Sequence, residues 1–170
     1  TAVGLASGES WEGIVAGLRA MSAQLHLIMT PGYGGATFLE DTYAASPSSV
    51  LSILHLLEEF PGRKVAVLGG LTELAHLEEE GHRKVGRLVA EVAACLIALG
   101  PLGRIIADEA LASGLPAESV QWVPDHQEAV HKLREIVAPE DLVLVSGAGH
   151  LGLKRIVDEL IDTRAMMCEV

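Results

Sequence analysis

Hydrophobic positions fall along the chain in two alternating rhythms. Residues 65–68, 95–99 and 142–145 are short, continuously apolar runs, and 120–123 is a shorter mixed one. A strand reads this way when a parallel sheet is covered on both faces. Between these runs the apolar positions recur three and four apart, which is the helical period. Val50, Leu51, Leu54 and Leu57 form one such stripe, Val85, Leu88, Val89 and Val92 a second, and Leu102, Ile105, Ile106 and Ala110 a third. Leu153, Ile156, Val157, Leu160 and Ile161 form the last. The punctuation agrees with the periods. Ser46-Pro47 is an N-cap followed by a proline at the first helical position, and Pro61-Gly62 closes that helix. Pro101 opens the third helix and Gly114 ends it, while Asp125 with Glu128 forms a capping box for a helix reaching about Val137.

The opening is different. Residues 11–23 read as a helix with Ile14, Val15, Leu18 and Met21 on one face. Two short apolar runs follow, 25–29 and 36–39, separated by Thr30-Pro31-Gly32-Tyr33-Gly34-Gly35, and this turn chemistry predicts a hairpin. Strands alternating with amphipathic helices imply an α/β domain with a Rossmann-like, doubly wound, mostly parallel sheet of about six strands, preceded by the helix and hairpin. Residues 1–9 read as an extension, 10–162 as the domain and 163–170 as a flexible tail. In such sheets ligands sit beyond the carboxyl ends of the strands. Those ends are residues 39–46, 69–75, 100–101, 124–125 and 146–152.

Composition narrows the chemistry. The chain has 170 residues, 49% hydrophobic and 21% charged, so one ordinary domain with a sizeable core is expected. Twelve Lys and Arg stand against 23 Asp and Glu, a net charge of −11. With no basic face to neutralise a phosphate backbone, nucleic acid is an unsuitable partner. No apolar stretch is long enough to cross a membrane, no signal-peptide pattern opens the chain, and the two cysteines, Cys95 and Cys168, cannot form a disulfide scaffold. A cytoplasmic location is expected.

Few motifs carry chemistry. Gly147-Ala148-Gly149-His150-Leu151-Gly152 matches G-x-G-x-x-G between a strand and a helix, where glycines let the backbone approach a phosphate. The dinucleotide fingerprint, however, opens its fold and is followed by a second strand ending in an acid, whereas only 18 residues follow Gly152. A tight turn, or a loop holding a carboxylate or phosphate on backbone N–H groups, also accounts for it. Glu40-Asp41-Thr42-Tyr43 could hold a ribose and cover a base, although spacing alone favours an ordinary solvated loop. His82 lies four residues after Glu78, the spacing of an intrahelical pair. No histidine cluster has metal-ligand spacing, no G-x-S-x-G surrounds a serine, and no G-x-x-x-x-G-K-[ST] phosphate loop occurs.

Three segments in order resemble the C-terminal domain of the Mur ligases, ATP-dependent amide ligases of peptidoglycan synthesis. The family's Asp-Asp-Ser-Tyr-Asn-Ala-Asn-Pro-Ser-Ser is here Glu40-Asp41-Thr42-Tyr43-Ala44-Ala45-Ser46-Pro47-Ser48-Ser49. Its Gly-Arg-Lys-(apolar)-Ala-Val-Leu-Gly-Asp-Met-Leu-Glu-Leu-Gly, followed by His-x-x-Val-Gly, is here Gly62 to Ala75, then His82-Arg83-Lys84-Val85-Gly86. Its Val-Leu-Val-Lys-Gly-Ser-Arg-Gly is here Val143-Leu144-Val145-Ser146-Gly147-Ala148-Gly149-His150.

The resemblance implies a piece of a three-domain enzyme, with an N-terminal domain for the UDP-linked muramoyl peptide and a central domain carrying the phosphate loop and Mg2+. The third domain closes over an acyl-phosphate made from ATP, which the amine of an amino acid or dipeptide attacks. No catalytic residue and no metal ligand is expected in this domain, and the isolated chain is expected to be inactive. By motif position Asp41 would bond the ribose, and Tyr43, Ala44 and Pro47 would lie along the adenine. Ser146, Gly147, Ala148, Gly149 and His150 would face the amine substrate, with Glu73 and His82 as further loop contacts. The chain departs from the pattern at Ala44, Ser46, Gly70, Ser146 and Gly149. The last two replace a lysine and an arginine, which removes charge-assisted bonds to a substrate carboxylate and leaves His150 as the basic side chain of the loop. The same departures fit an alternative, a free-standing non-catalytic ligand-binding module derived from this family.

Overall fold

The computed structural model describes residues 27–42, 46–71 and 78–161. The expected helix over 11–23 and the tail over 163–170 lie outside them. Strand β1 (Ile28–Pro31) turns back through a 3-10 turn at Tyr33–Gly35 into β2 (Thr37–Asp41), antiparallel to it, so the hairpin is present. Helix α1 (Pro47–Glu58), β3 (Lys64–Gly69), α2 (Glu78–Val92), β4 (Cys95–Leu99), α3 (Gly100–Ala112), β5 (Val120–Val123), α4 (His126–Ile136), β6 (Leu142–Ser146) and α5 (Leu153–Leu160) follow in order.

One six-stranded sheet results, in the order β1-β2-β6-β3-β4-β5, with every pair except β1–β2 parallel. Because strand side chains alternate, each face has its own core. Leu39, Ala66, Leu68, Leu96, Ala98 and Leu144 meet α1, α2 and α3 through residues such as Leu54, Val89 and Ile106. Phe38, Val65, Val67, Ile97, Val143 and Val145 meet α4 and α5 through Leu133, Ile156 and Leu160. The sheet is therefore doubly wound, and the central strands read as unbroken apolar runs because neither face meets water.

The helix starts follow the local chemistry. The Ser46 hydroxyl accepts from the Ser49 N–H at 3.3 Å. Asp125 Oδ1 accepts from the N–H groups of Gln127 and Glu128 at 2.9 and 3.0 Å. This cap is one-sided, because the Glu128 carboxylate makes no return bond among the described residues. At the amino edge of the sheet, buried Asp141 accepts from Arg63 Nη1 at 2.7 Å and from the Ala138 N–H at 2.8 Å. This clamps the start of β6 to the start of β3.

Helices α2 and α3 touch at Gly86, where an added Cβ would lie 2.7 Å from the Ile106 carbonyl oxygen and 2.8 Å from Glu109 Cβ. Around this contact Glu109 bonds Arg83 at 2.7 Å and Arg87 at 2.8 Å. Two variants test this seam. Gly86→Val is expected to lower stability by about 2–3 kcal/mol through overpacking against backbone. Lys84→Val, exposed on the same helix, should cost less than about 1 kcal/mol. Equal losses in urea unfolding would mean that the helices can separate freely. The second variant is Glu109→Gln. Hydrogen bonds from Arg83, then Arg87, hold the Glu109 carboxyl below its ordinary range. Its contribution is therefore present above the unfolded-state range and is lost as pH falls through the lower folded value. Thermal melts should separate the variant from the parent at neutral pH and bring them together in acid.

Candidate functional site

The sheet topology creates a place for polar chemistry. The helices after β2 and β3 cover one face, while the helix after β6, which lies between them, covers the other. Chains leaving adjacent strands in opposite directions open a crevice at their carboxyl ends. The residues at those ends are Asp41 of β2, Ser146 of β6 and Gly69 of β3.

Residues Glu40 and Asp41 are not in a solvated loop. They complete β2, pairing with Val145 and Ser146, and are 9% and 4% exposed. The loop expectation fails because the parallel ladder to β6 runs to the last residue of the strand. Alternation then separates the two carboxylates. Glu40 turns toward α5, where its Oε1 accepts from Thr42 Oγ1 at 2.9 Å and meets Lys154 Nζ at 3.4 Å. Glu40, and after it Asp158, raises the Lys154 ammonium above its ordinary value. Asp41 turns to the opposite face, level with Ser146. Ser146 is fully buried, and its Oγ has no hydrogen-bond partner among the described residues. An unsatisfied buried hydroxyl is costly and marks a place where a polar group is wanted. Pro47 opens α1 just beyond Asp41, whereas Tyr43, Ala44 and Glu73 lie outside the described residues.

Packing accounts for two of the three glycines in the loop after β6. Gly147 has φ +137°, and a Cβ there would lie 2.8 Å from Gly69 N and 2.9 Å from its Cα. Gly152 has φ +73°, with the His126 ring 3.2 Å from where its Cβ would be. The N–H groups of Ala148, Leu151 and Gly152 are bonded to the carbonyls of Gly70, Ala148 and Gly149. A backbone cradle for a pyrophosphate is thus largely spent within the protein. Gly149 and His150 are exposed in a 3-10 turn, the only two of the five loop residues 146–150 that face solvent.

The loop after β3 is anchored by a bond that spacing did not reveal. The Leu71 N–H donates to His82 Nε2 at 2.8 Å, and His82 is fully buried. His82 therefore shapes this loop from beneath. Gly70 is equally constrained, since a Cβ there would lie 2.8 Å from Leu102 Cβ. Sequence reading also missed His126 and Arg155, which border Gly149 and His150 in a cleft of about 410 Å3. The glycine spacing drew attention to the loop, but nothing linear connects it to residue 126. Among the described residues no three His, Cys, Asp or Glu side chains are grouped to hold a metal ion, and no helix is long and apolar enough to cross a membrane.

Comparison with known proteins agrees with this architecture. The chain is 29% identical over 163 residues to the UDP-N-acetylmuramoyl-tripeptide–D-alanyl-D-alanine ligase of Bacillus subtilis, covering 94% of this chain and 35% of that protein. It superposes on a crystal structure of MurF from Acinetobacter baumannii with a TM-score of 0.64 and 25% identity, over 91% of this chain and 34% of that one. The MurF ligase of Thermotoga maritima in complex with ADP shares the fold, with a TM-score of 0.62 and 22% identity over 74% of this chain and 28% of that one. The chain thus spans about a third of the length of these relatives. The model of the Mur ligase glutamate ligase domain matches residues 25–149, from the hairpin through all the parallel strands to the glycine loop, and the chain belongs to that family.

Proposed function

We propose that residues 10–162 are the closing domain of a cytoplasmic, ATP-dependent Mur-type carboxylate–amine ligase of peptidoglycan synthesis. In this reading N-terminal and central domains of a longer chain hold the UDP-linked muramoyl peptide and the Mg2+ with the ATP phosphates. The observation that carries the reading is the pairing of Asp41 with Ser146, two buried polar side chains level with each other at the switch-point crevice. Asp41 would accept from the ribose hydroxyls, and Pro47, with Tyr43 and Ala44, would lie along the adenine. The loop from Ser146 to His150 would face the incoming amine. ATP supplies the phosphoryl group that activates the carboxylate. This chain's own work is to orient the nucleotide and amine and to exclude water when the domain closes.

The ADP in the Thermotoga relative supports the nucleotide half of this reading. The amine half rests on the loop position alone, because the lysine and arginine of the family pattern are Ser146 and Gly149 here. In the full-length protein Asp41→Asn is expected to raise the KM for ATP about tenfold, as loss of a charge-assisted bond does, with the fold of the variant checked by its melting temperature. The 170-residue chain should turn over no ATP. An unchanged KM in a well-folded variant would sink the nucleotide assignment and favour the non-catalytic module. Ligase turnover by the chain alone would sink the closing-domain reading.

A further inference from the structure

The end of β2 is braced unevenly. Glu40 sits between two strand neighbours, Ile28 of β1 and Val145 of β6. Asp41 is one rung further on, where the ladder to β1 has stopped and Ser146 of β6 is its strand partner. The chain then leaves the sheet at Thr42. Strand pairing therefore holds the last residue of β2, whose carboxylate is buried at the crevice, from one side.

The Glu40 side chain makes up the difference. It turns to the α5 face of the sheet, the face of Phe38 and Val145, which are both fully buried. Its Oε1 reaches forward past Asp41 to accept from Thr42 Oγ1 at 2.9 Å, and the same oxygen meets Lys154 Nζ at 3.4 Å. One carboxylate thus fastens both flanks of Asp41. The far anchor is firm, because Lys154 is the second residue of α5 and its neighbours Leu153 and Ile156 are fully buried. The two partners depend on the pair unequally. The Glu40 side chain is 11% exposed and that of Lys154 65%. A carboxylate at that depth needs its counter-charge, whereas the lysine has water and Asp158 at 3.6 Å. A pair open to water on one side adds little to global stability, so its removal is felt at the end of β2.

We propose that Glu40 and Lys154 are positioning residues for Asp41: their ion pair, with its hook onto Thr42, fixes the rotation of the last rung of β2 and so the direction of the Asp41 carboxylate. This rests on the reading that Asp41 binds the nucleotide, and it names the residues that set how well. Successive strand residues share a peptide plane and point to opposite faces, so a turn of the strand that moves Glu40 moves Asp41 with it. Neutralising the lysine leaves the Glu40 carboxylate uncompensated among apolar side chains. It then turns toward water and draws Thr42 along. The ribose contact is made from a loosely held rung, which weakens nucleotide binding and leaves the chemical step to the other domains.

The test is steady-state kinetics of the full-length protein. Lys154→Gln, an exposed substitution, should raise the KM for ATP about fivefold and keep kcat within about twofold. Glu40→Gln should do the same, and the double variant should be no worse than either single one, because both remove a single interaction. Lys154→Arg, which keeps the charge, should restore most of the affinity. Asp158→Asn, which leaves Lys154 to Glu40 alone, should not change the KM. An unchanged KM in Lys154→Gln, multiplied effects in the double variant, or a Lys154→Arg as weak as Lys154→Gln would each overturn the proposal. If Glu40→Gln does not fold, the two lysine variants carry the test. Comparison with Asp41→Asn separates the two readings. A raised KM in Asp41→Asn with an unchanged one in Lys154→Gln removes the positioning role and keeps the nucleotide assignment. An unchanged KM in Asp41→Asn removes the nucleotide assignment itself, and the positioning role with it, whatever Lys154→Gln does.

Discussion

The carboxyl edge of the sheet is built around one contact between two backbones. Gly147 sits so close to Gly69 that a Cβ would lie 2.8–3.0 Å from that residue's N, Cα and C atoms. No flexible side chain can yield there, because the obstruction is main chain. The neighbouring Ala148 N–H then bonds the Gly70 carbonyl at 3.0 Å. Together these lock the chain leaving β6 onto the chain leaving β3. Everything that follows inherits that position: the 3-10 turn that exposes His150, the placing of Leu151 between Gly69 and Gly100, and the approach of Gly152 to His126.

The same contact explains what was legible in the sequence. The alternation of apolar runs with helical stripes carried the strand order of events, the caps at Ser46 and Asp125, and the double burial of the central strands, because those depend on neighbours within a few residues. The G-x-G-x-x-G spacing was visible, but its cause was not. Gly147 is required by residue 69 and Gly152 by the ring of residue 126, both distant in sequence. His82 had the same ambiguity. Its spacing from Glu78 pointed along the helix, whereas its Nε2 reaches out of the helix to the Leu71 N–H. Glu40 and Asp41 looked like loop residues because acids are rare in the last rungs of a buried ladder. They are tolerated because one meets Lys154 and the other lies at the crevice.

The departures from the family pattern are of two physical kinds. Gly70 is tied to its surroundings: Leu102 occupies the space where a side chain would begin, so an aspartate could return only if that leucine moved. Gly149 is untied. A Cβ there would have only the Thr42 carbonyl within 4 Å, at 3.8 Å, and its φ is unexceptional. Packing therefore does not forbid an arginine at 149, and its absence is not a demand of this fold.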